Sequence, residues 1–164
     1  MRDKNLIWNI AILLFLLIIT LSGGIMILKY YKNDKVELTV ASIQENIVLD
    51  KTTTEDLEKM FGEPSKVVNN SKKAKNEYDY WENYEGGTDY SLEMMTNYWD
   101  DLKYKDDNIN YDSPTSYYDY KGKGLGLEYV RFYIRNETVF YLHFGSITNK
   151  SVAKKDKYLR QIID

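Results

Sequence analysis

Cysteine is missing from all 164 residues. Its absence excludes a disulfide framework, thiolate metal sites, a cysteine nucleophile and a lipid anchor attached through cysteine. It does not fix the compartment, because a cysteine-free chain is viable on either side of a membrane. Histidine is nearly missing, His143 being the one copy. A Ser–His pair would have to use it, and a multi-histidine metal site is impossible. An excess of positive charge is lacking too. The net charge of −3 argues against general nucleic-acid affinity. Nothing in the sequence calls for a cofactor or a bound metal.

What is present first is a long apolar run. Residues 6–28, LIWNIAILLFLLIITLSGGIMIL, carry no charge. At about 1.5 Å per residue this helix spans roughly 34 Å, enough for a hydrocarbon core of about 30 Å. Trp8 near one end and Tyr30, Tyr31 and three lysines at the other suit the two interfaces. Ser22 and Gly24 have the small side chains a signal peptidase wants, but the apolar run continues past them, which favours an uncleaved single-pass signal-anchor in the bilayer. Positive charges flank the span almost evenly. By analogy with single-span anchors, the short tail 1–5 is expected inside and the C-terminal domain outside the cytoplasm, at the cell membrane. Residues 29–35 read as a linker and 36–164 as one domain of ordinary size.

Charge is uneven along that domain. Residues 77–119 hold 12 acidic and 2 basic side chains, whereas 120–164 hold 9 basic and 4 acidic. Twelve of the sixteen tyrosines lie between Tyr78 and Tyr133. Val36 to Ile47 suits a short helix with Val40, Ile43 and Ile47 on one face. A second helix follows, with Thr53 as N-cap, Glu55 and Asp56 at its positive end, Gly62 as its stop and Pro64 beyond. The rest reads mainly as strand. Tyr78 to Tyr84 alternates aromatic and polar residues, with Tyr78, Tyr80 and Tyr84 on one face opposite Trp81. Thr88 to Trp99 is a second strand candidate, although its LEMM could be helical. Asp100 to Ser116 reads as a loop. Leu127 to Ile134 and Thr138 to Phe144 form an expected antiparallel hairpin, with Val130, Phe132 and Ile134 facing Phe140, Leu142 and Phe144. Val152 to Ile163 suits a terminal helix.

The stretch 41–68, ASIQENIVLDKTTTEDLEKMFGEPSKVV, resembles the opening of the small envelope domains related to the outer-membrane assembly lipoprotein BamE (the SmpA/OmlA family) and to beta-lactamase inhibitory protein. Ile47, Thr52 or Thr53, Leu57, Phe61, Gly62 and Pro64 fall where that pattern has its turn, second helix and Gly-x-Pro exit. The usual glycine before the first threonine is Asp50 or Lys51, and a membrane helix stands in for the lipid-bearing cysteine. The resemblance implies an α+β scaffold with two short helices packed on an antiparallel sheet. It implies no activity and transfers no contacts.

Several patterns suggest chemistry. Asp106, Asn108, Asn110 and Asp112 alternate like the start of an EF-hand loop. Tyr111 replaces the glycine and Tyr117 the bidentate glutamate, so that motif is rejected. Gly122, Gly124 and Gly126 lack the strand–helix setting of a phosphate loop and read as a turn. His143 reads as a solvent-side or edge histidine sharing a face with Val139 and Tyr141. Carboxylate pairs such as Asp100 with Asp101 leave an envelope hydrolase open.

The acidic, tyrosine-rich middle is the most distinctive feature. Aromatic side chains supply binding hot spots, and clustered carboxylates steer a basic partner. Tyr80, Trp81, Tyr84, Tyr90, Trp99, Asp100 and Asp101 are the candidate partner-binding residues, with Tyr78 and Tyr98 beside them; equally, some of these rings could be core. The first expectation is a membrane-anchored, extracytoplasmic domain without catalytic activity that binds a protein with a basic patch, as an immunity, inhibitor or envelope-assembly factor would. The alternatives are a carboxylate-dependent hydrolase and an accessory subunit whose span pairs through Ser22, Gly23 and Gly24. Oligomeric state is not readable.

Overall fold

A computed structural model describes residues 35–105 and 113–163. The expected membrane span 6–28 and the Asp106–Asp112 run lie outside the described residues. Among the described residues no helix is long and apolar enough to cross a membrane.

Local sequence dictates the first elements. Helix α1 (Val40–Asn46) starts from a capping box in which Thr39 and Ser42 bond each other's backbone. The two-residue strand β1 (Val48–Leu49) leads into helix α2 (Thr54–Phe61), whose cap Thr53 accepts from Asp56 N while Asp56 accepts from Thr53 N. Gly62 ends α2 at φ +85, as its position predicts. Eight residues are too few for a stable isolated helix in water. Complete burial of Leu57, worth about 2 kcal/mol, holds α2 in place through packing.

The remaining elements are strand β2 (Lys66–Val68), helix α3 (Ser71–Glu82), helix α4 (Gly87–Met95) and strand β3 (Lys103–Tyr104), then strands β4 (Ser116–Tyr120), β5 (Val130–Arg135) and β6 (Thr138–Phe144), a short helix α5 (Lys150–Ala153) and a 3-10 turn (Leu159–Gln161). Strands β2-β4-β5-β6 form an antiparallel sheet in that order, and β1 pairs with β3 in parallel. The turn after β1 docks on the free edge of β6, where Asp50 N donates to Val139 O and Val139 N to Thr52 O. The fold is thus mixed helix and antiparallel sheet, as expected in its coarse form.

One sheet face is apolar. Val130, Phe132 and Ile134 of β5 lie beside Phe144, Leu142 and Val139 of β6, under Val40 and Ile43 of α1 and Leu57 of α2. The opposite face carries Arg131, Tyr133, Tyr141 and His143, and α3 covers it.

Five expectations change. The run Tyr78 to Tyr84 is the end of α3 and the turn after it, not a strand; Tyr78 and Trp81 share its buried side. Thr88 to Trp99 begins as helix α4. Asp100 to Ser116 is not all loop, because Lys103–Tyr104 pairs with β1. The β5–β6 register slips between Tyr133 and Ile134 of β5, so Tyr133 opposes Tyr141 and Ile134 opposes Val139. Phe140 is the extra residue and joins the α3 side, while Val139 enters the main core. The C-terminal helix is cut short. The buried Asp156 carboxylate accepts from Tyr158 N, Leu159 N and Ala41 N, so it caps a new turn rather than continuing α5.

Candidate functional site

Helix α3 begins at Asn70, whose side chain accepts from Lys73 N. Ala74, Tyr78 and Trp81 recur at helical spacing and face the sheet. Ala74 is fully buried, and the Tyr78 ring lies 5.2–5.6 Å from Tyr133, Phe140 and Tyr141. Glu77, on the same side, reaches Arg131 at 2.9 Å. Trp81 ends the stripe by stacking on His143, with 4.0 Å between ring centroids.

His143 is therefore not at the solvent side; it is 5% exposed. Its Nδ1 donates to the Asp89 carboxylate, since an ionised carboxylate only accepts. The other Asp89 oxygen accepts from Phe144 N at 2.9 Å, and Thr88 Oγ1 donates to Gly145 O at 2.8 Å. These bonds fix the first turn of α4 to the end of β6. Trp99 Nε1 donates to the Asp89 carbonyl at 3.3 Å, which adds the segment after α4 to the same assembly. No hydroxyl is bonded to His143 among the described residues, and its Nε2 is buried without a hydrogen-bond partner.

Above this floor lies a groove of about 710 Å³ between the end of α3, α4 and β3. Trp81, Tyr84, Tyr90, Trp99 and Asp100 line it, so five of the seven candidate residues come together. Tyr80 and Asp101 do not line it. Tyr80 stands just outside, stacked on Tyr84 at 5.9 Å and 16°. The Asp101 carboxylate accepts from Asn97 and from Tyr158 OH instead. Tyr78 packs against the sheet, and Tyr98 is fully buried in the main core.

The wall includes residues not picked from the sequence as partner contacts: Glu82 and Glu85, which stood out only as a carboxylate pair, and Glu93, Tyr104 and Tyr141. Tyr90, Glu93 and the exposed Met94 are spaced i, i+3 and i+4 on α4. Helical periodicity there was the available signal, and the strand reading hid it. Glu82 accepts from Tyr78 OH at 2.7 Å. Glu85, Glu93 and Asp100 form no ion pair among the described residues, and no lysine or arginine lines the groove. Burial, reinforced by Asp89, pushes the Tyr141 phenol well above its ordinary range, so it is neutral at any working pH.

Large apolar side chains are exposed in the same place. Of the seven exposed among the described residues, Tyr80, Tyr84, Tyr90, Met94, Met95 and Tyr104 belong to this stretch of chain, and only Val67 does not. Met94 is the most open, at 64%. Among the described residues no group of three or more acidic or histidine side chains is placed to hold a metal ion. No protein-family model, characterised protein or solved structure matches the chain.

Proposed function

We propose that this chain is a single-pass, membrane-anchored domain that works outside the cytoplasm by binding a basic protein partner in the α3–α4–β3 groove, without catalysing a reaction. One observation carries the reading: among the described residues, six of the seven exposed large apolar side chains lie between Tyr80 and Tyr104, and three of them, Tyr84, Tyr90 and Tyr104, line a groove whose free charges are all carboxylates. Scattered apolar residues on a surface need no explanation, but a concentration of them marks interaction sites. The exposed methionines at the end of α4 are adaptable contact residues, and tyrosines give contact area at low entropic cost. The carboxylates supply steering and the choice of partner. A tethered acidic scaffold of this kind suits an inhibitor, immunity or envelope-assembly role, in keeping with the family resemblance of residues 41–68.

Two measurements test it. A cysteine replacing the exposed Glu63 would be the chain's only thiol. Labelling by a membrane-impermeant reagent in intact cells supports the outward orientation; labelling only after lysis overturns it. A photo-crosslinking residue at Tyr84 should capture a protein that the double reversal Glu93→Lys with Asp100→Lys no longer captures, whereas a crosslinker at Lys154 should not capture it. Capture unaffected by that reversal overturns the assignment of the groove.

A further inference from the structure

The domain shows how its own chemistry holds a cation. Arg131 lies 3.9 Å over the Tyr117 ring, and its guanidinium is gripped by Asp119 at 2.6 and 3.0 Å and by Glu77 at 2.9 Å. Arg135 repeats the arrangement, 4.3 Å over the Phe140 ring with Asp50 at 2.8 Å. These two arginines are buried; Arg160 and every described lysine are exposed, and Lys66 meets the same Tyr117 ring and Asp119 only from the outside, at 5.3 and 3.9 Å. The reason is general. A guanidinium is planar and weakly hydrated, so it stacks on an aromatic face and still presents a fork of donors to carboxylates. An ammonium is compact, strongly hydrated and costly to strip of water.

The groove offers the same two components without the cation. Tyr84 and Tyr90 are 48% and 41% exposed, beside Trp81. The Tyr84 ring is set edge-on to Trp81, with centroids 5.5 Å apart, and Gly86 leaves room for it: a Cβ there would sit 3.0 Å from the ring. Glu85, Glu93 and Asp100 border these rings with no cation of the chain paired to them among the described residues.

We propose that the groove is an arginine-selective pocket: the partner's principal anchor is an arginine side chain, stacked on the Trp81–Tyr84–Tyr90 wall and paired with the Glu85, Glu93 and Asp100 carboxylates, and lysine does not substitute for it. This rests on the groove being the partner site. Charge complementarity selects a basic occupant, and the aromatic wall selects which base.

The test uses the full chain in a neutral maltoside detergent, without quaternary ammonium groups that would compete for aromatic faces. Two capped peptides of equal charge, Gly-Arg-Gly-Arg-Gly and Gly-Lys-Gly-Lys-Gly, are titrated while tryptophan fluorescence is followed. Trp81 and Trp99 report from the groove, and Trp8 is a constant background. The arginine peptide should bind about ten-fold more tightly than its lysine twin. Tyr84→Leu with Tyr90→Leu, both at exposed sites, should bring that ratio close to one. Glu93→Gln should weaken both peptides and leave the ratio intact. Equal binding of the two peptides, or a ratio that survives loss of both tyrosines, overturns arginine selectivity while the acidic groove stands as a partner site. Saturable binding of neither peptide removes the groove reading itself, and the selectivity with it.

Discussion

Removing Asp119 tests the energetic logic of the polar sheet face. The Arg131 and Asp119 side chains are 6% and 7% exposed and share two hydrogen bonds, while Glu77, their third member, is 38% exposed. Burial alone would lower the Arg131 pKa, but the hydrogen bonds and charge of Asp119 outweigh it and the net shift is upward. An arginine stays charged even without that partner, because a guanidinium's intrinsic basicity lies far above neutral pH. Deleting one member of a buried pair typically costs about 3–5 kcal/mol, because the other charge is left desolvated. Glu77 still holds one nitrogen, so Asp119→Ala should fall near the lower end, about 3 kcal/mol. A domain of this size has a total stability of about 5–15 kcal/mol, so the loss is large. Replacing both partners, Asp119→Leu with Arg131→Met, removes the buried charge and should cost little or nothing, since Glu77 is open enough to turn to water. An exposed pair gives the internal control. Lys75 and Asp79 are about half exposed, so Lys75→Ala should cost less than about 0.5 kcal/mol. The assay is urea unfolding of the full chain in detergent, followed by near-ultraviolet circular dichroism from the packed tyrosines. A loss below about 1 kcal/mol for Asp119→Ala, or a double variant as unstable as the single one, would refute the reasoning.

Three further outcomes follow from backbone and titration. Asn136 and Glu137 make the two-residue β5–β6 turn with φ of 49 and 66, the left-handed pair of a type I′ hairpin. Glu137→Gly should raise stability by about 0.5–1 kcal/mol, read as a higher melting temperature. Gly126 has φ +72, and a Cβ there would lie 2.8 Å from the Ala153 backbone nitrogen. Gly126→Ala adds a clash with fixed backbone to a disfavoured φ and should lower stability by roughly 2–4 kcal/mol in the same unfolding assay. On the alkaline side, burial raises the phenol of Tyr98 first of all, with Asp89 and Asp156 adding to it, and burial likewise leads the rise at Tyr141. An unfolded chain ionises its tyrosines near pH 10, whereas these fold only as neutral phenols. The stability they contribute is complete below about pH 10 and is lost as pH rises further. Phenolate absorbance should therefore lag in the native chain and rise together with unfolding.

What the sequence made legible was what neighbouring residues decide. Helix α2 has its cap, its acidic first turn, its buried Leu57 and its glycine stop within ten residues, and each feature acts over one turn of helix. The β5–β6 hairpin was equally plain from its alternation. Phe140 defeats that alternation because a one-residue bulge reverses the face of everything before it, and no local signal marks the slip. Asp156 was misread as a helix residue because its competing partners include Ala41 N, 115 residues away. Helix α3 failed for a different reason. Its sheet-facing stripe is Ala74, Glu77, Tyr78 and Trp81, a set without a large aliphatic residue, because the sheet face it covers holds Arg131, Tyr133 and His143. An amphipathic search looks for an apolar face opposite a polar one, and here both partners in the packing are polar and aromatic. Tyrosines at positions 78 and 80 then imitated a strand.

The groove was nevertheless partly legible, and the reason is topological. Residues 81–104 run continuously through the end of α3, then α4 and β3, so side chains close in sequence stay close in space, and composition alone located the patch. Composition could not separate Asp100 from Asp101, which are adjacent yet directed apart, nor reveal that Tyr98 is core while Trp99 lines the groove. That separation depends on the floor. Trp81 is backed by His143, and Asp89 is bonded to both His143 and Phe144 N, so the floor is fixed to the sheet before any partner arrives. Under the proposed binding role, ordering entropy falls on the rim, on Tyr84, Tyr90 and the glutamates. A fixed floor under an adaptable rim keeps affinity sensitive to the chemistry of the inserted side chain, since little of the binding free energy is consumed in building the pocket. Substituting His143 should therefore weaken a partner without touching it. His143→Phe keeps the stack beneath Trp81 but loses the bond to Asp89, and so detaches the first turn of α4 from one of its three side-chain ties to the end of β6. The arginine peptide should then bind more weakly to His143→Phe while the domain remains folded by circular dichroism. Unchanged affinity would mean that the groove's geometry is set by its rim alone.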